Sequence, residues 1–450
     1  MGLFGRKNSI LLFCALGMAT LLALSSCRRS DNDVEDDWIE ELGDISDPTF
    51  PTDPSDGTMS SAEQRERLEK TALAFLNQIS ASDFTYYKNL TNHVRTELST
   101  YESTEAMEHV QEILEQVLMD ESSDETQQDY PSYAIVYSEK RCTWLVQLAR
   151  FKGHYTAKNG KWVYADAKDF QIAFNDQEGK PCTLSVEVGG DTTQILVSES
   201  EDYEWWSDTV DGNVVYHDQT TENRYLLAMP EEVRLVFKQQ NRERVEIVLQ
   251  ADLESTNGGQ SARYLKKLTA LTRIDDYQFG FTKGFFHLEK KLEFNWVLRK
   301  NDKMLLDIYA LMEANLSEKD IHQCKVSLNL MDEVQVFGVV RDGGQFNECL
   351  ENIQNDNLNE TVVKENVDAA NALLDLGLYF DNKTDVKQAE VVMQAEAESE
   401  WRGIVWHVEP VIVFGNGISY SYFSTFFEEG FEELVSKFRM LQRDFERLAE

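Results

Sequence analysis

The sequence predicts an α+β protein in which helices at both ends pack on a large, curved, half-barrel-like antiparallel β-sheet. Two observations lead to this prediction. Near both ends of the chain, apolar residues recur every three or four positions, which is typical of amphipathic helices. Between about residues 131 and 340 the period falls to two, and strands that are apolar on one face follow one another across short turns. Helices and strands that are segregated along a chain in this way favour the α+β class.

The first block, residues 60–130, is predicted to be helical. Ser60 and Glu63 have the spacing of a capping box, which marks the start of a helix. Apolar residues then follow at steps of four, three and four, at Leu68, Ala72, Phe75 and Ile79. A break is expected at residues 80–83, and a further helix is expected over residues 104–118.

The predicted antiparallel sheet occupies residues 131–340. The sequence Lys158-Asn159-Gly160-Lys161 indicates a tight hairpin turn, since Asn-Gly accepts the left-handed backbone that such turns need. Residues 286–298 alternate between apolar and polar side chains and are expected to form one strand, which then turns at Asn301-Asp302. The sheet is expected to face water on one side.

Residues 341–450 are predicted to mix strands with helices, the last of which ends the chain. The strand Val405–Phe414 is expected at an edge or with a bulge, because Pro410 cannot donate a ladder hydrogen bond. From Ser424 onward, phenylalanine and leucine residues repeat at steps of four and three. This helix is expected to pack on the sheet or on the first helix, and a coiled-coil partner is the alternative.

Residues 1–26 have the three parts of a signal peptide. Arg6 and Lys7 give a positive start, and the apolar run Ile10–Leu24 is too short to span a bilayer. The ending Leu24-Ser25-Ser26-Cys27 resembles a bacterial lipobox. That resemblance implies cleavage before Cys27 and attachment of several acyl chains to it, which together give lasting membrane attachment. An ordinary signal peptide followed by an incidental cysteine is the alternative.

Residues 27–59 are predicted to be a lipidated, acidic and proline-rich tether. The tract Arg28–Asp37 turns strongly acidic directly after the anchor and resembles the export signal of surface lipoproteins in Bacteroidota. Three of the seven prolines are Pro48, Pro51 and Pro54, and such a segment buries too little apolar surface to order itself. The cell surface is therefore the expected location, and the periplasmic face of the outer membrane is the alternative.

Composition limits the partners of the folded part. With 80 acidic and 43 basic residues, the net charge is −37, which argues against nucleic acid because phosphates would be repelled. Cys14 leaves with the signal peptide, so the cysteines of the folded part are Cys142, Cys182, Cys324 and Cys349. They lack C-x-x-C spacing, and their disulfide state stays open because four cysteines allow three pairings.

No catalytic site, cofactor or metal site is predicted. The seven histidines include no pair at the i, i+4 spacing of a helical zinc site. Neither a G-x-S-x-G nucleophile motif nor a glycine-rich phosphate loop occurs. A carboxylate pair like that of glycoside hydrolases cannot be distinguished among so many acids, so a carboxylate-based hydrolase stays an alternative.

The candidate ligand-binding residues are Tyr203, Trp205 and Trp206. They lie beside acids in Asp202-Tyr203-Glu204-Trp205-Trp206. Such a combination is typical of sugar platforms, because the apolar face of a sugar stacks on an aromatic ring while its hydroxyls bond to carboxylates. The alternative is that both tryptophans fill the core or the rim of the sheet.

About a quarter of the chain carries a family resemblance. Its motifs are Phe151-Lys152-Gly153, Lys161-Trp162, Leu378-Tyr379-Phe380-Asp381-Asn382, Gln388-Ala389, Glu409-Pro410-Val411-Ile412-Val413-Phe414, Ser419-Tyr420-Ser421-Tyr422-Phe423 and the last helix. They are similar to those of a group of uncharacterised Bacteroidota lipoproteins. The resemblance implies a location and a fold, and only Cys27 receives a role from it. The strand series also resembles the curved half-barrels of lipoprotein-carrier proteins, a likeness of fold that implies no function.

Together these observations predict a membrane-anchored, surface-exposed bacterial lipoprotein with a non-enzymatic binding or structural role. Its expected partners are the outer membrane, through the lipid anchor, and an apolar or glycan ligand, whereas its oligomeric state stays open. A carbohydrate-binding module of a glycan-uptake system that uses Trp205 and Trp206 is one alternative. The carboxylate-based hydrolase is the other.

Overall fold

The fold is that of a computed structural model of the 450-residue chain. The structure describes residues 48–102, 125–130, 133–140, 152–190, 193–210, 213–255, 263–287, 291–315, 320–353, 359–400, 403–415, 419–422, 426 and 431–449. The predicted signal peptide, Cys27, Cys142 and the helix expected over residues 104–118 lie outside these residues.

The described chain is mostly β-strand with a few helices, so the α+β class agrees with the structure. The helices are α1 (Ser61–Gln78), α2 (Thr85–Thr96), α3 (Gly343–Ile353), α4 (Glu360–Leu373) and α5 (Glu432–Ala449), with short 3₁₀ turns at Ala81–Phe84 and Leu98–Thr100. The first strands are β1 (Ser55–Asp56), β2 (Glu125–Tyr130), β3 (Tyr133–Lys140), β4 (Gly153–Lys158), β5 (Lys161–Ala165), β6 (Phe170–Asn175), β7 (Pro181–Gly189), β8 (Thr193–Val210), β9 (Asn213–Met229), β10 (Glu232–Gln239), β11 (Arg242–Ser255) and β12 (Arg263–Ile274). The others are β13 (Tyr277–His287), β14 (Lys291–Lys300), β15 (Lys303–Asn315), β16 (Asp320–Leu330), β17 (Val334–Val340), β18 (Leu374–Phe380), β19 (Val386–Lys387), β20 (Ala389–Glu400), β21 (Gly403–Phe414) and β22 (Ser419–Tyr422).

The described residues fall into two compact units. The first unit combines residues 48–91 with residues 276–449, and the second unit is formed by residues 92–275. The limits expected at residues 130 and 340 divide the chain by type of element rather than by contact, and that division stays a prediction. The first unit is held together by contacts between segments far apart in the chain, which local periodicity does not register.

In the first unit, β13 to β18 pair as antiparallel neighbours in chain order, and β20, β21 and β22 continue the antiparallel pairing. The turn predicted at Asn301-Asp302 is confirmed, since both residues have positive φ angles of 49° and 61°. The single strand expected over residues 286–298 is wrong, because Phe286 pairs with Leu292 across a β13–β14 hairpin. The alternation of apolar and polar residues continues through both strands of the hairpin, so the sequence pattern gives no sign that the chain reverses direction.

The strand that contains Pro410 lies where the sequence prediction places it. Pro410 is opposite Met393 of β20, whereas on the other side of β21 the described part of β22 reaches only Val411–Phe414. Within the described pairing Pro410 therefore has a strand neighbour on one side, as expected for a residue without an N–H group.

The capping box predicted at the start of α1 is confirmed. Glu63 N donates to Ser60 Oγ at 3.3 Å, and Ser60 N donates to Glu63 Oε2 at 2.8 Å. The apolar face of α1 packs against α5 and the sheet in one cluster, whose members include Leu76, Phe431, Leu434, Ala389, Ile412 and Phe414. The last helix thus packs on the first helix and on strands, the arrangement that its apolar repeat predicts.

In the second unit the strand pairing is mixed, so the purely antiparallel sheet expected from the sequence needs correction. β7, β10, β11 and β12 pair antiparallel, but β3 runs parallel to β9 and β4 runs parallel to β6. Parallel partners are not joined by a tight turn, so the sequence carries no local signal for them. Residues 125–130, expected at the end of the helical block, form β2, which pairs with β3.

The hairpin predicted at Lys158-Asn159-Gly160-Lys161 is confirmed in this unit. Lys158 lies opposite Lys161, and the φ angles of Asn159 and Gly160 are 54° and 75°. This is the left-handed backbone that a two-residue hairpin turn requires.

One strand of the second unit is buried on both faces, unlike the one-sided sheet expected. Leu249 of β11 is buried on one face, while Val248 and Glu246 are buried on the other. Glu246 has no exposed surface and accepts hydrogen bonds from Arg234 Nε at 2.8 Å and Arg273 Nη2 at 2.9 Å. The two guanidinium groups compensate the burial of the carboxylate charge.

A polar cluster closes the C-terminus of α1 in the first unit. Lys300 Nζ donates to the carbonyl of Gln78 at 2.8 Å and to Asp83 Oδ2 at 2.7 Å, and Tyr277 Oη donates to the same carboxylate at 2.6 Å. Lys300 thereby places a positive charge at the negative end of the helix dipole. Burial opposes ionisation of Asp83, but the bonds from Lys300 and Tyr277 outweigh it and hold the pKa of Asp83 below its usual range.

Among the described helices, none combines the length and the apolar character needed to cross a membrane.

We expect Asp83→Asn to lower the free energy of unfolding by about 1–2 kcal/mol at pH 7, because it removes a charged acceptor shared by two donors. Since the folded pKa of Asp83 is depressed, this stabilisation is present above the unfolded pKa and is lost as the pH falls through the folded value. Thermal unfolding of both proteins between pH 2 and pH 8 checks this.

The control is Asp302→Asn, at an exposed turn residue whose positive φ angle suits asparagine. It should unfold like the parent at every pH. Equal stability of Asp83→Asn and the parent at pH 7 would contradict the proposed role of the cluster.

Candidate functional site

The predicted aromatic residues lie on the long β8–β9 hairpin of the second unit. In its register Tyr203 is opposite Thr220, Trp205 is opposite Asp218 and Trp206 is opposite His217. The register shift in this pair falls between Leu196 and Ser198, so the alternation is regular around the aromatic residues. Tyr203, Trp205 and Trp206 therefore lie on a regularly paired strand.

The structure separates the three aromatic residues by face. Successive side chains of a strand point to opposite faces, so Tyr203 and Trp205 share one face and Trp206 lies on the other. Their exposed fractions are 63%, 68% and 42%. Such exposure excludes the alternative in which the two tryptophans fill the core of the sheet.

The arrangement of Tyr203 and Trp205 suits a flat ligand. Two residues along a strand advance by about 6.6–6.8 Å, which sets the spacing between the two aromatic positions on that face. Exposed rings at this spacing offer two neighbouring apolar surfaces on a rigid backbone. Such surfaces can stack on the apolar faces of adjoining rings in an extended ligand.

A row of hydrogen-bonded polar residues runs across β13, β14 and β15 in the first unit, where the sequence predicts no site. Thr282 Oγ1 donates to Asn295 Oδ1, whose Nδ2 donates to Asp307 Oδ1 at 2.7 Å. Burial raises the pKa of the Asp307 carboxyl, against the lowering effect of the bond from Asn295. Nearby, Tyr309 Oη donates to the buried Glu293 at 3.1 Å.

The same face holds an aromatic cluster that the sequence analysis missed. Phe50, from the predicted tether, contacts Tyr309 and Phe337 at ring-centroid distances of 6.2 Å and 5.5 Å. Lys325 Nζ lies 5.7 Å from the centroid of the Phe50 ring. The available sequence signal was a single phenylalanine between two prolines, Pro48 and Pro51, in an acidic segment.

The described cysteines are Cys182, Cys324 and Cys349, and none of these three is bonded to another. Burial raises the pKa of the Cys324 and Cys349 thiols, so both are poor nucleophiles near neutral pH. Across the described ranges, no three His, Cys, Asp or Glu side chains are grouped as metal ligands.

Comparison with known proteins identifies no family for this chain. No protein-family model matches the chain, and no curated protein matches it. A porin-like protein from Bacteroides vulgatus is similar in structure at 7% identity, over 60% of this chain and 99% of that chain, with a TM-score of 0.15. A likeness at that TM-score supports no conclusion about this chain.

We expect Asp307→Asn to raise the unfolding temperature at pH 7, because it keeps an acceptor for Asn295 and removes a partly buried charge. A carboxyl whose folded pKa is raised loses stability as the pH rises above its unfolded pKa. The gain should therefore be present at pH 7 and should disappear as the pH falls well below the ordinary aspartate pKa of about 3.9, where Asp307 is protonated in both states. Calorimetry across this range measures it.

Asp276→Asn, at an exposed turn position, serves as the matched control and should show no such gain. A lower unfolding temperature for Asp307→Asn at pH 7 would mean that the negative charge itself stabilises the fold.

Proposed function

We propose that this chain is a membrane-anchored, surface-exposed lipoprotein of the Bacteroidota type, with a non-enzymatic binding role. The observation that carries the proposal is Leu24-Ser25-Ser26-Cys27 at the end of a positive start and a short apolar run. The acidic tract after Cys27 supports export to the cell surface, and the periplasmic face of the outer membrane remains the alternative. The net charge of −37 supports a body that stays away from anionic surfaces.

The proposal also includes the curvature of the sheet and the position of the helices. We infer a curved, half-barrel-like sheet with helices at both ends. Consecutive antiparallel strands twist with a fixed hand, and the long series from β13 to β18 supports such curvature.

We expect metabolic labelling with a palmitate analogue to mark the parent protein and Cys14→Ala but not Cys27→Ala. The reason is that lipid attachment requires the thiol of Cys27, whereas Cys14 lies within the apolar run that is removed. The measurement is in-gel detection of the label on protein isolated from the membrane fraction of the expressing bacterium.

Labelling of Cys27→Ala equal to the parent would contradict the anchor. Protease added to intact cells should digest the labelled protein if it is on the surface. Protection of the body until the outer membrane is opened would favour the periplasmic alternative.

The second candidate function is glycan binding by the second unit. Tyr203 and Trp205 favour it because both rings are largely exposed and share a face of one strand. Burying such rings against a sugar would remove apolar surface from water, which is favourable. An apolar ligand has less support, since one described face of the first unit's sheet carries the polar residues Glu293, Asn295 and Asp307.

We expect Tyr203→Ala and Trp205→Ala each to weaken glycan binding about tenfold, because losing one stacked ring costs roughly 1.4 kcal/mol. Trp206→Ala should change the affinity much less, since Trp206 lies on the other face. A glycan array identifies the ligand, and calorimetric titration of that ligand compares the three variants.

Trp206 is the matched control because it is an exposed aromatic residue of the same strand. Unchanged affinity after Tyr203 and Trp205 are both replaced would remove the glycan proposal. An equal loss for all three variants would instead point to a general disturbance of the hairpin.

A further inference from the structure

Part of the predicted tether is attached to the first unit. Residues 27–59 are predicted to bury too little apolar surface to become ordered by themselves. From Pro48 onward, however, the chain contacts the rest of the first unit at two places: the Phe50 side chain meets rings of the large sheet, and the backbone of Ser55–Gly57 pairs with the short strand β19. Residues 48–57 therefore lie against the first unit, and the tether over residues 27–59 stays a prediction.

Phe50 occupies an aromatic site on the polar face of the sheet. Tyr309 of β15 is opposite Ser327 of β16, which in turn is opposite Phe337 of β17. These three neighbours share a face, and Ser327 is buried between the two rings. Phe50 meets Tyr309 and Phe337 edge-on at interplanar angles of 63° and 68°, a favoured geometry for aromatic pairs.

A cation completes the site. Lys325 is two residues before Ser327 on β16, so its side chain leaves the same face of the sheet. Its ammonium group lies within about 6 Å of the Phe50 ring centroid, the range in which a cation is attracted to an aromatic face. The site thus combines two aromatic walls with a positive charge.

The backbone forms the second contact. β1 pairs in parallel with β19, with Ser55 opposite Val386 and Asp56 opposite Lys387. Ser55 N donates to the Asp385 carbonyl at 2.9 Å, and Gly57 N donates to the Lys387 carbonyl at 2.7 Å. A Cβ atom at Gly57 would lie 2.9 Å from the Cα of Gln388, so glycine permits the close approach of the two backbones.

We propose that the Phe50 site and the β19 edge form a docking site whose occupant is this chain's own segment, residues 48–57. Three features of the segment favour it over a separate partner. Phe50 is the sole aromatic residue between Trp38 and Phe75, so it is the residue of this stretch that can fill an aromatic site. Because α1 follows at Ser61, the covalent connection to the folded unit gives the segment a high effective concentration at the site. Pro51 and Pro54 also restrict the undocked chain and so reduce the entropy lost on docking.

Docking shortens the reach of the anchor, a consequence that rests on the proposed lipidation of Cys27. With residues 28–59 free, the extended chain would span at most about 110 Å between Cys27 and α1. With the segment docked, residues 28–47 span at most about 70 Å. The folded body is then held closer to the membrane, because fewer residues separate the anchor from the first docked residue.

The test measures hydrogen exchange of the Ser55 and Gly57 amides in the full chain. In the parent both amides should be protected through their bonds to β19. Phe50→Ala should increase their exchange rates by about ten- to a hundredfold, because the remaining backbone pairing is short. Thr52→Ala, at an exposed position of the same segment, is the matched control and should leave both rates unchanged.

A second measurement covers the case in which Phe50→Ala disturbs the sheet itself. A Ser55→Cys/Val386→Cys double variant should form a disulfide within one chain, since neighbouring strand positions lie within disulfide range. Rapid exchange of Ser55 and Gly57 in the parent, or absence of this cross-link under oxidation, would overturn the docking proposal. Neither readout depends on lipid, so failure of docking is distinct from loss of palmitate labelling in the anchor experiment.

Discussion

The alternation of side chains in the central part of β14–β17 is the constraint on which the first unit depends, and register shifts interrupt it only near the ends of β14 and β15. On one face, Phe294, Trp296 and Leu298 lie in the apolar cluster that includes Phe75 of α1 and Ile79, the residue directly after that helix. On the other face, Glu293 and Asn295 belong to the polar row. A shift of one residue would exchange these two faces. It would place carboxyl and amide groups against the helix, so the register is specified by burial on both sides.

The cluster at the end of α1 depends on this register. Tyr277 and Lys300 are register partners at the open ends of β13 and β14, and together they reach Gln78 and Asp83. The sheet thus supplies the cation that the last turn of α1 lacks. The helix in turn covers the apolar face of the same strands, so that helix termination and sheet packing support each other.

Local chemistry explains which parts of the fold could be predicted from sequence. The Ser60–Glu63 capping box, the Asn159-Gly160 turn and the Asn301-Asp302 turn each depend on neighbouring residues, and each appears where the sequence places it. The β13–β14 hairpin was not predicted, because the alternation of apolar and polar residues continues from Phe286 to Leu292 although these residues lie on two different strands. The parallel pairing of β3 with β9 and the docking of Phe50 depend on residues distant in the chain, and no local pattern encodes either of them.

The same distinction applies to the candidate sites. Sequence alone groups Tyr203, Trp205 and Trp206 as one aromatic cluster, but the period of two on β8 divides them between opposite faces of the strand. A phenylalanine in an acidic, proline-rich segment looks like part of a solvated tether until the rings of Tyr309 and Phe337 are placed beside it. Composition describes what a segment can bury by itself, whereas Phe50 is half-buried through contacts with strands that lie far from it in the chain. Among the residues that the structure describes, the tether is therefore bounded by Phe50, which contacts the folded body well before α1 begins at Ser61.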